Sequence, residues 1–266
     1  MRSGPRRIVD FTPLAHAYDT SRSIPDEILD KACRRLLQCE ILAPGASVLD
    51  VGCGTGQITS AFYRAGLPIV GVDISAAMLQ VARRRMPTVP LHVGSAYQLP
   101  YAADSYDVVV VSKLFQHLTD WQLAVREIVR VLRPYGVLVH LRDRGAFVND
   151  VRARVAQEAD ARGYSDRYLG VTDRGRLHAE LATFGGRPRS VPSNGLSWMK
   201  TITYGTALAQ LRDRLFAEFW VVPDAEYEAI LADAEEWVAA QPEGSHTTQN
   251  MHPHLEIEVF QFGIPA

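Results

Sequence analysis

Val48-Leu49-Asp50-Val51-Gly52-Cys53-Gly54-Thr55-Gly56 is the stretch on which the fold turns. A short β-branched and apolar strand runs straight into three glycines, each two residues from the next. Glycine carries no Cβ, so the chain can turn tightly and bring its backbone close to a ligand. The pattern Gly52-x-Gly54-x-Gly56 differs from the dinucleotide fingerprint, whose third glycine lies one residue later. No Lys-Ser or Lys-Thr pair follows, which removes the phosphate-cradling loop of nucleotide hydrolases. A turn this compact suits an uncharged or zwitterionic ligand better than a pyrophosphate. Asp73 lies about 20 residues on, at the end of a second strand, where a carboxylate can accept both hydroxyls of a ribose.

The chain reads outward from that turn in both directions. Gln57–Arg64 is a helix closed by Gly66, and Ile69–Val72 is the second strand. Ser75 caps a helix carrying Met78, Leu79 and Ala82. Leu91–Val93 is a third strand, and Tyr106–Val111 a fourth, continuous and apolar as a buried parallel strand should be. Thr119 with Gln122 reads as a capping box for the helix bearing Leu123, Ile128, Val131 and Leu132. Pro134-Tyr135-Gly136 then turns into a fifth strand, Val137–Leu141. Upstream, a helix starts at Pro25 with Asp26 and Glu27 in its first turn. This alternation predicts an open, mostly parallel sheet with helices on both faces and ligands at the carboxyl edge of its strands. After residue 144 the rhythm changes. Helices are expected over 146–163, 174–184, 206–219 and 225–239, a strand over 197–204, and a polar loop over 244–250. Leu255–Phe262 closes the chain as a strand, with Leu255, Ile257 and Val259 on one face and Glu256 and Glu258 on the other.

Composition fits a soluble globular protein: 266 residues, 47% hydrophobic and 22% charged, with a formal net charge of -2. That charge gives no field to attract nucleic acid or an anionic membrane, so neither partner is expected. Cys33, Cys39 and Cys53 are an odd number at no metal spacing, which argues against a disulfide scaffold. The basic start, Met1 to Ile8, has no apolar signal core behind it, and no run is long enough to span a bilayer. A cytoplasmic protein is the expectation.

Four segments, in order, resemble the class I S-adenosylmethionine-dependent methyltransferases, in particular the broad small-molecule and ubiquinone-type group. Asp50 to Gly56 is similar to the family's cofactor loop. Val70-Gly71-Val72-Asp73-Ile74-Ser75 is similar to its ribose-binding segment, with Met78 placed to cover the adenine. Gly94-Ser95-Ala96, Leu99-Pro100 and Asp104-Ser105-Tyr106-Asp107 resemble the third strand and the entry to the fourth. Arg126 to Pro134 with Gly136 resembles the helix and turn before strand five. Together these cover roughly residues 11–143. The resemblance implies a Rossmann-like α/β fold of seven strands, mostly parallel, with helices on both faces. The last strand is antiparallel beside the fifth, and extra helices lie between strands six and seven. It implies one domain over 1–266. Its parts are an N-terminal lid and first helix (1–45), a cofactor core (46–143), substrate-side helices with strand six (144–254) and the final strand (255–262).

The same resemblance implies S-adenosylmethionine as cofactor. Its site would comprise Tyr18, Arg22, Asp50, Gly52, Cys53, Gly54, Asp73, Ile74, Met78, Ser95, Ala96, Ser112 and Lys113. Ser95 stands where many relatives carry an acid, and the Ala96 N–H is an alternative partner for adenine. Tyr18 or Arg22 would meet the methionine carboxylate. Methyl transfer from a sulfonium mainly needs orientation and dehydration, with a base only where the acceptor must lose a proton. His117, after strand four, and His140, at the end of strand five, are the candidate bases. Arg142, Asp143 and Arg144 could bind a polar acceptor but read first as a solvated charge run. His252 and His254 lack the further ligands of a metal site, so no metal is expected. The implied function is methyl transfer to a small molecule, apolar or aromatic in view of Trp198, Phe216, Trp220 and Trp237. A methyltransferase acting on RNA or protein, or a cofactor-binding protein that methylates nothing, is the alternative, and a homodimer is left open.

Overall fold

The structure is a computed structural model and describes residues 8–146 and 148–263. The basic start read above lies outside the described residues up to Arg7. A short helix α1 (Tyr18–Arg22) precedes α2 (Asp26–Gln38). Strands and helices then alternate: β1 (Val48–Val51), α3 (Gln57–Arg64), β2 (Ile69–Asp73), α4 (Ala76–Arg85), β3 (Leu91–Val93), β4 (Tyr106–Ser112), α5 (Trp121–Val131) and β5 (Leu132–Arg144). The second half holds α6 (Asp150–Ala161), α7 (Arg174–Thr183), β6 (Arg187–Arg189), β7 (Lys200–Thr203), α8 (Tyr204–Arg212), α9 (Asp224–Ala239), β8 (Thr248–Met251) and β9 (His254–Gln261).

Seven strands form one sheet in the order β3-β2-β1-β4-β5-β9-β6. The first five run parallel, and β9 lies antiparallel between β5 and β6. This is the expected fold class. β1 lies inside the sheet, between β2 and β4, and is fully buried because Val48, Leu49 and Val51 are apolar and Asp50 is internally bonded. Alternation along each strand divides the core. Val108, Val110, Leu255, Ile257 and Val259 join the layer under α2, α3 and α4. Val109, Val111 and Phe260 join the opposite layer under α5 and α7. Where β1 ends, the order reverses from β2 to β4, and a crevice opens at that switch point.

A third apolar cluster lies apart from the sheet, built by α6, α8, α9 and the two-stranded sheet β7-β8. Here local signals mislead. Thr248–Met251, expected as loop, pairs with β7 in register Lys200↔Met251 to Thr203↔Thr248. Its polar, partly exposed residues show no apolar alternation, and its partner is remote in sequence. The helix expected to reach Phe219 stops at Arg212, because Arg214 takes a left-handed φ of 48°. α6 starts later than expected, where the Asn149 side chain accepts the Arg152 N–H at 2.9 Å. The Thr119–Gln122 capping box does not form. The Thr119 hydroxyl lies 3.4 Å from the Tyr97 hydroxyl, to which the Asp120 N–H at the start of α5 also donates at 3.3 Å. Ser75 does cap α4, accepting the Met78 N–H at 3.3 Å.

Candidate functional site

The glycine turn leaves β1 with Gly52, Gly54 and Gly56 at φ of 74°, 54° and 80°, conformations that side-chain-bearing residues rarely adopt. Their roles differ. A Cβ on Gly56 would strike the Met86 methyl at 2.4 Å and Ala82 at 3.0 Å. One on Gly52 would meet the Leu114 side chain at 2.9 Å. A Cβ on Gly54 would meet nothing within 4 Å. Gly56 therefore lets α3 pack on α4, while Gly54 faces open space. Asp50 lies beneath the turn, fully buried, accepting the Thr59 hydroxyl at 2.6 Å. Burial pushes its carboxyl up to about 7. Cys53 is buried as well, and burial raises its thiol well above the usual range.

Above the turn is a narrow pocket of about 80 Å³. Gly52, Gly54, Asp73, Ile74, Met78, Ala96, Ser112, Lys113 and Tyr18 line it, with Phe11, Leu114 and His117. Asp73 is held in its wall by backbone. One carboxylate oxygen accepts the Gly54 N–H at 2.8 Å and the other accepts the Ser75 N–H at 2.8 Å. Burial raises its pKa against those bonds. Asp50 and Cys53 line a smaller recess behind the turn, shared with Tyr18, Gln57 and Lys113. Ser95 lines none of these walls and accepts the Tyr97 N–H at 3.2 Å within its own turn.

A clip ties α1, whose Tyr18 lines both the pocket and the recess, to the glycine turn. Asp19 accepts from the Thr55 hydroxyl at 2.6 Å and Gln57 Nε2 at 2.8 Å, and pairs with Arg85 at 2.7 Å. Gln57 in turn accepts the Ile24 N–H at 3.1 Å. At the far end of α1, Arg22 is 8% exposed and stacks near Tyr18, Phe11 and Phe216, its Cζ 5.0, 5.6 and 5.4 Å from the ring centroids. Arg22 lines not the first pocket but a second, wider cavity of about 310 Å³.

Tyr18, Lys113 and His117 belong to the walls of both cavities, which therefore adjoin at the end of β4. His117 stands edge-on to Phe11 with centroids 4.9 Å apart. Burial, with Arg22 and Lys113 as positive neighbours, pushes its pKa down to about 3, so the ring is neutral at physiological pH. His140 is buried in the floor of the second cavity, its Nδ1 3.0 Å from Glu258 on the antiparallel neighbour β9. Burial lowers its pKa despite the carboxylate. Glu258 also meets Arg142 at 3.6 Å, Arg174 at 2.5 Å and His178 at 3.3 Å. These partners outweigh its burial and hold it down at about 2.

The stretch Arg142-Asp143-Arg144 is only in part the solvated run expected from sequence: Arg144 is exposed, but Arg142 and Asp143 are half-buried. All three residues line the second cavity, because β5 continues to Arg144 beneath α7, and Asp143 pairs with Lys113 at 3.0 Å. The aromatic expectation narrows too. Phe216 lines the cavity, but Trp198 packs on the main core, Trp220 rests on Phe11 and Trp237 stacks on Tyr204. Sequence reading missed the ion pair of Arg152 with the buried Glu218, which crosses the cavity wall. Neither residue has a local signature. Asp19 and Glu258 left fainter ones: an acid beside the lid tyrosine, and a lone acid between Ile257 and Val259.

Residues 49–140 match a family model described as "Methyltransferase domain". That stretch is thus similar to a methyltransferase domain, and the sheet order is the one that the resemblance of the sequence implies. Among relatives, the chain is 35% identical over 130 residues to a demethylmenaquinone methyltransferase of Renibacterium salmoninarum. That match covers 48% of this chain and 55% of the relative. A demethylmenaquinone methyltransferase of Mycolicibacterium paratuberculosis is 35% identical over 138 residues, covering 51% and 59%. The chain thus spans a little over half the length of these relatives. Two solved structures share the fold: the YcgJ protein of Bacillus subtilis (TM-score 0.57, 18% identity, 91% and 100% covered) and the [4+2]-cyclase SpnF (TM-score 0.55, 20%, 96% and 93%). Among the described residues no helix is long and apolar enough to cross a membrane.

Proposed function

We propose that the chain binds S-adenosylmethionine in the narrow pocket and methylates a small molecule held in the wider cavity. The observation that carries this reading is the shared wall of Tyr18, Lys113 and His117, which joins the two cavities at the end of β4. The residues fit the cofactor. The open space at Gly54 admits a ligand against bare backbone, and Asp73 offers two carboxylate oxygens whose backbone donors can yield to ribose hydroxyls. Ile74, Met78 and Ala96 form the adenine end, with the Ala96 N–H in the place where Ser95 does not reach. Gly52, Ser112, Lys113 and Tyr18 form the methionine end, and Asp50 and Cys53 support the turn from behind. When bound, the cofactor supplies an electrophilic methyl on a sulfonium.

The chain's own part is to orient the acceptor and exclude water. With its basicity pushed to about 3, His117 is suited to accept a hydrogen bond from the acceptor rather than to store its proton. His140 is the better base: Glu258 faces Nδ1, which directs the proton there and leaves Nε2 as the acceptor nitrogen. The size of the second cavity, about 310 Å³, favours a small molecule over RNA or protein. Calorimetry with S-adenosylmethionine and S-adenosylhomocysteine tests the cofactor half. We expect one-to-one binding, weakened at least about tenfold by Asp73→Ala. Absence of binding by the wild-type chain would overturn the reading. S-adenosylhomocysteine release with a panel of small acceptors tests transfer, and persistent binding without release would favour the non-methylating alternative.

A further inference from the structure

The cations around the second cavity are almost all matched by the protein's own acids. Lys113 pairs with Asp143, Arg144 with Glu256 and Arg152 with Glu218, while Arg142 and Arg174 share Glu258. Asp173 is used at the start of α7, where it accepts the Arg176 N–H at 2.7 Å. Two arginines thus share one acid at Glu258, whereas Arg22 has none within reach among the described residues. Its side chain is more than nine-tenths buried, and among the described residues no carboxylate lies within ion-pairing distance of it. Its guanidinium has a single long hydrogen bond, Nη1 to the Ser21 hydroxyl at 3.5 Å, and otherwise rests on aromatic rings. A buried guanidinium that lacks a counter-charge is costly. Burial accordingly depresses even this group's pKa.

A second guanidinium approaches the same ring. Arg152 Cζ stands 4.5 Å from the Phe216 centroid and Arg22 Cζ 5.4 Å from it. All three residues line the cavity, with Tyr168. Glu218 neutralises one of these two like charges and leaves the other. The geometry points to an acceptor that carries a carboxylate, received between Arg22 and Arg152 beside Phe216. This rests on the methyltransferase reading for the word acceptor; the anion site itself does not. Guanidinium groups match a carboxylate through paired N–H donors, and the single excess positive charge of the Arg22–Arg152–Glu218 group calls for a monoanion rather than a phosphate monoester, which carries ≈ −1.5 to −2 at neutral pH. Because Arg22 lines this cavity and not the glycine pocket, its charge is assigned to the acceptor and not to the cofactor's own carboxylate.

The test uses the full chain, with and without S-adenosylhomocysteine. Probes are benzoate, 3-phenylpropionate and 4-hydroxybenzoate, the primary amide of each, and phenyl phosphate. Affinity is read by thermal shift and calorimetry. The carboxylates should bind at least about tenfold more tightly than their amides and more tightly than phenyl phosphate. In Arg22→Gln that preference should vanish while S-adenosylhomocysteine affinity moves by less than about threefold, and Arg22→Lys should restore part of it. Arg174→Gln, at a largely exposed side chain, should fold normally and lose less. Equal binding of carboxylates and amides would overturn the proposal. So would a loss of S-adenosylhomocysteine affinity in Arg22→Gln as large as the loss for carboxylates. Tighter binding of phenyl phosphate would overturn the carboxylate assignment. Failure of the wild type to bind S-adenosylhomocysteine, with the carboxylate preference intact, would instead sink the cofactor reading alone.

Discussion

At the residue scale, the three glycines of one turn perform separable tasks. Gly54 has room for a side chain but would pay in a strained φ and in the space a ligand needs, whereas Gly56 has no room at all. Gly54→Leu should therefore leave a folded protein, destabilised by about 1–3 kcal/mol, that has lost measurable S-adenosylhomocysteine binding. Gly56→Leu should lower the melting temperature far more, since it must displace Met86 and Ala82. Normal calorimetric affinity in the Gly54 variant would refute the placement of the ligand. His117 makes a pH-dependent prediction. Its folded pKa lies near 3 against an ordinary 6.5, so between those values the unfolded chain binds the extra proton. The contribution of the neutral ring is complete above about pH 6.5 and is lost progressively as the pH falls toward 3. His117→Asn should flatten the acid limb of denaturant-measured stability in that window. An unchanged slope would show that the ring is not held neutral.

At the scale of elements, α1 acts through one side chain. Asp19 fastens it to Thr55, Gln57 and Arg85, that is, to the glycine turn, to α3 and to α4. Charge-assisted bonds of this kind contribute about 1.5–3 kcal/mol each where they are shielded and less at the half-exposed Arg85. Asp19→Ala should speed S-adenosylhomocysteine dissociation at least about tenfold in stopped flow, with a modest fall in melting temperature. An unchanged off-rate would mean that α1 does not hold the ligand in. How far these elements could be read from sequence followed from where their information sits. β1, the glycine turn and Asp73 are local and periodic, and Ser75 announces α4 by its own side chain. The pairing of β8 with β7 is not local, and Thr248–Met251 has neither alternation nor apolar content to reveal it. The capping box failed for a similar reason: the Thr119 hydroxyl lies 3.4 Å from that of a tertiary partner, Tyr97, and does not cap the Gln122 N–H. His140 was legible as a residue at a strand end, but its setting depends on Glu258, brought alongside by the antiparallel register of a strand far away in sequence. Arg152 and Glu218 meet across the cavity from α6 and the turn after α8, and no spacing within either segment could have paired them.

At the scale of the molecule, two bodies of core divide the labour. The seven-stranded sheet presents the glycine turn, Asp73, His117 and His140 along its carboxyl edge. The separate cluster of α6, α8, α9 and β7-β8 supplies Arg152 and Phe216 from the opposite side. α1 lies between them: Tyr18 touches both cavities, Asp19 holds the turn and Arg22 faces the wider space. That single helix has a kinetic consequence. Whatever moves it to admit the first ligand also dismantles part of the second ligand's wall, so the two cannot enter independently. Under the proposed function, turnover should follow a compulsory order, donor on first and its spent form off last. Initial-rate measurements should show S-adenosylhomocysteine competing with S-adenosylmethionine while acting as a mixed or noncompetitive inhibitor toward the acceptor. Random-order patterns would mean that the helix stays closed while either ligand comes and goes.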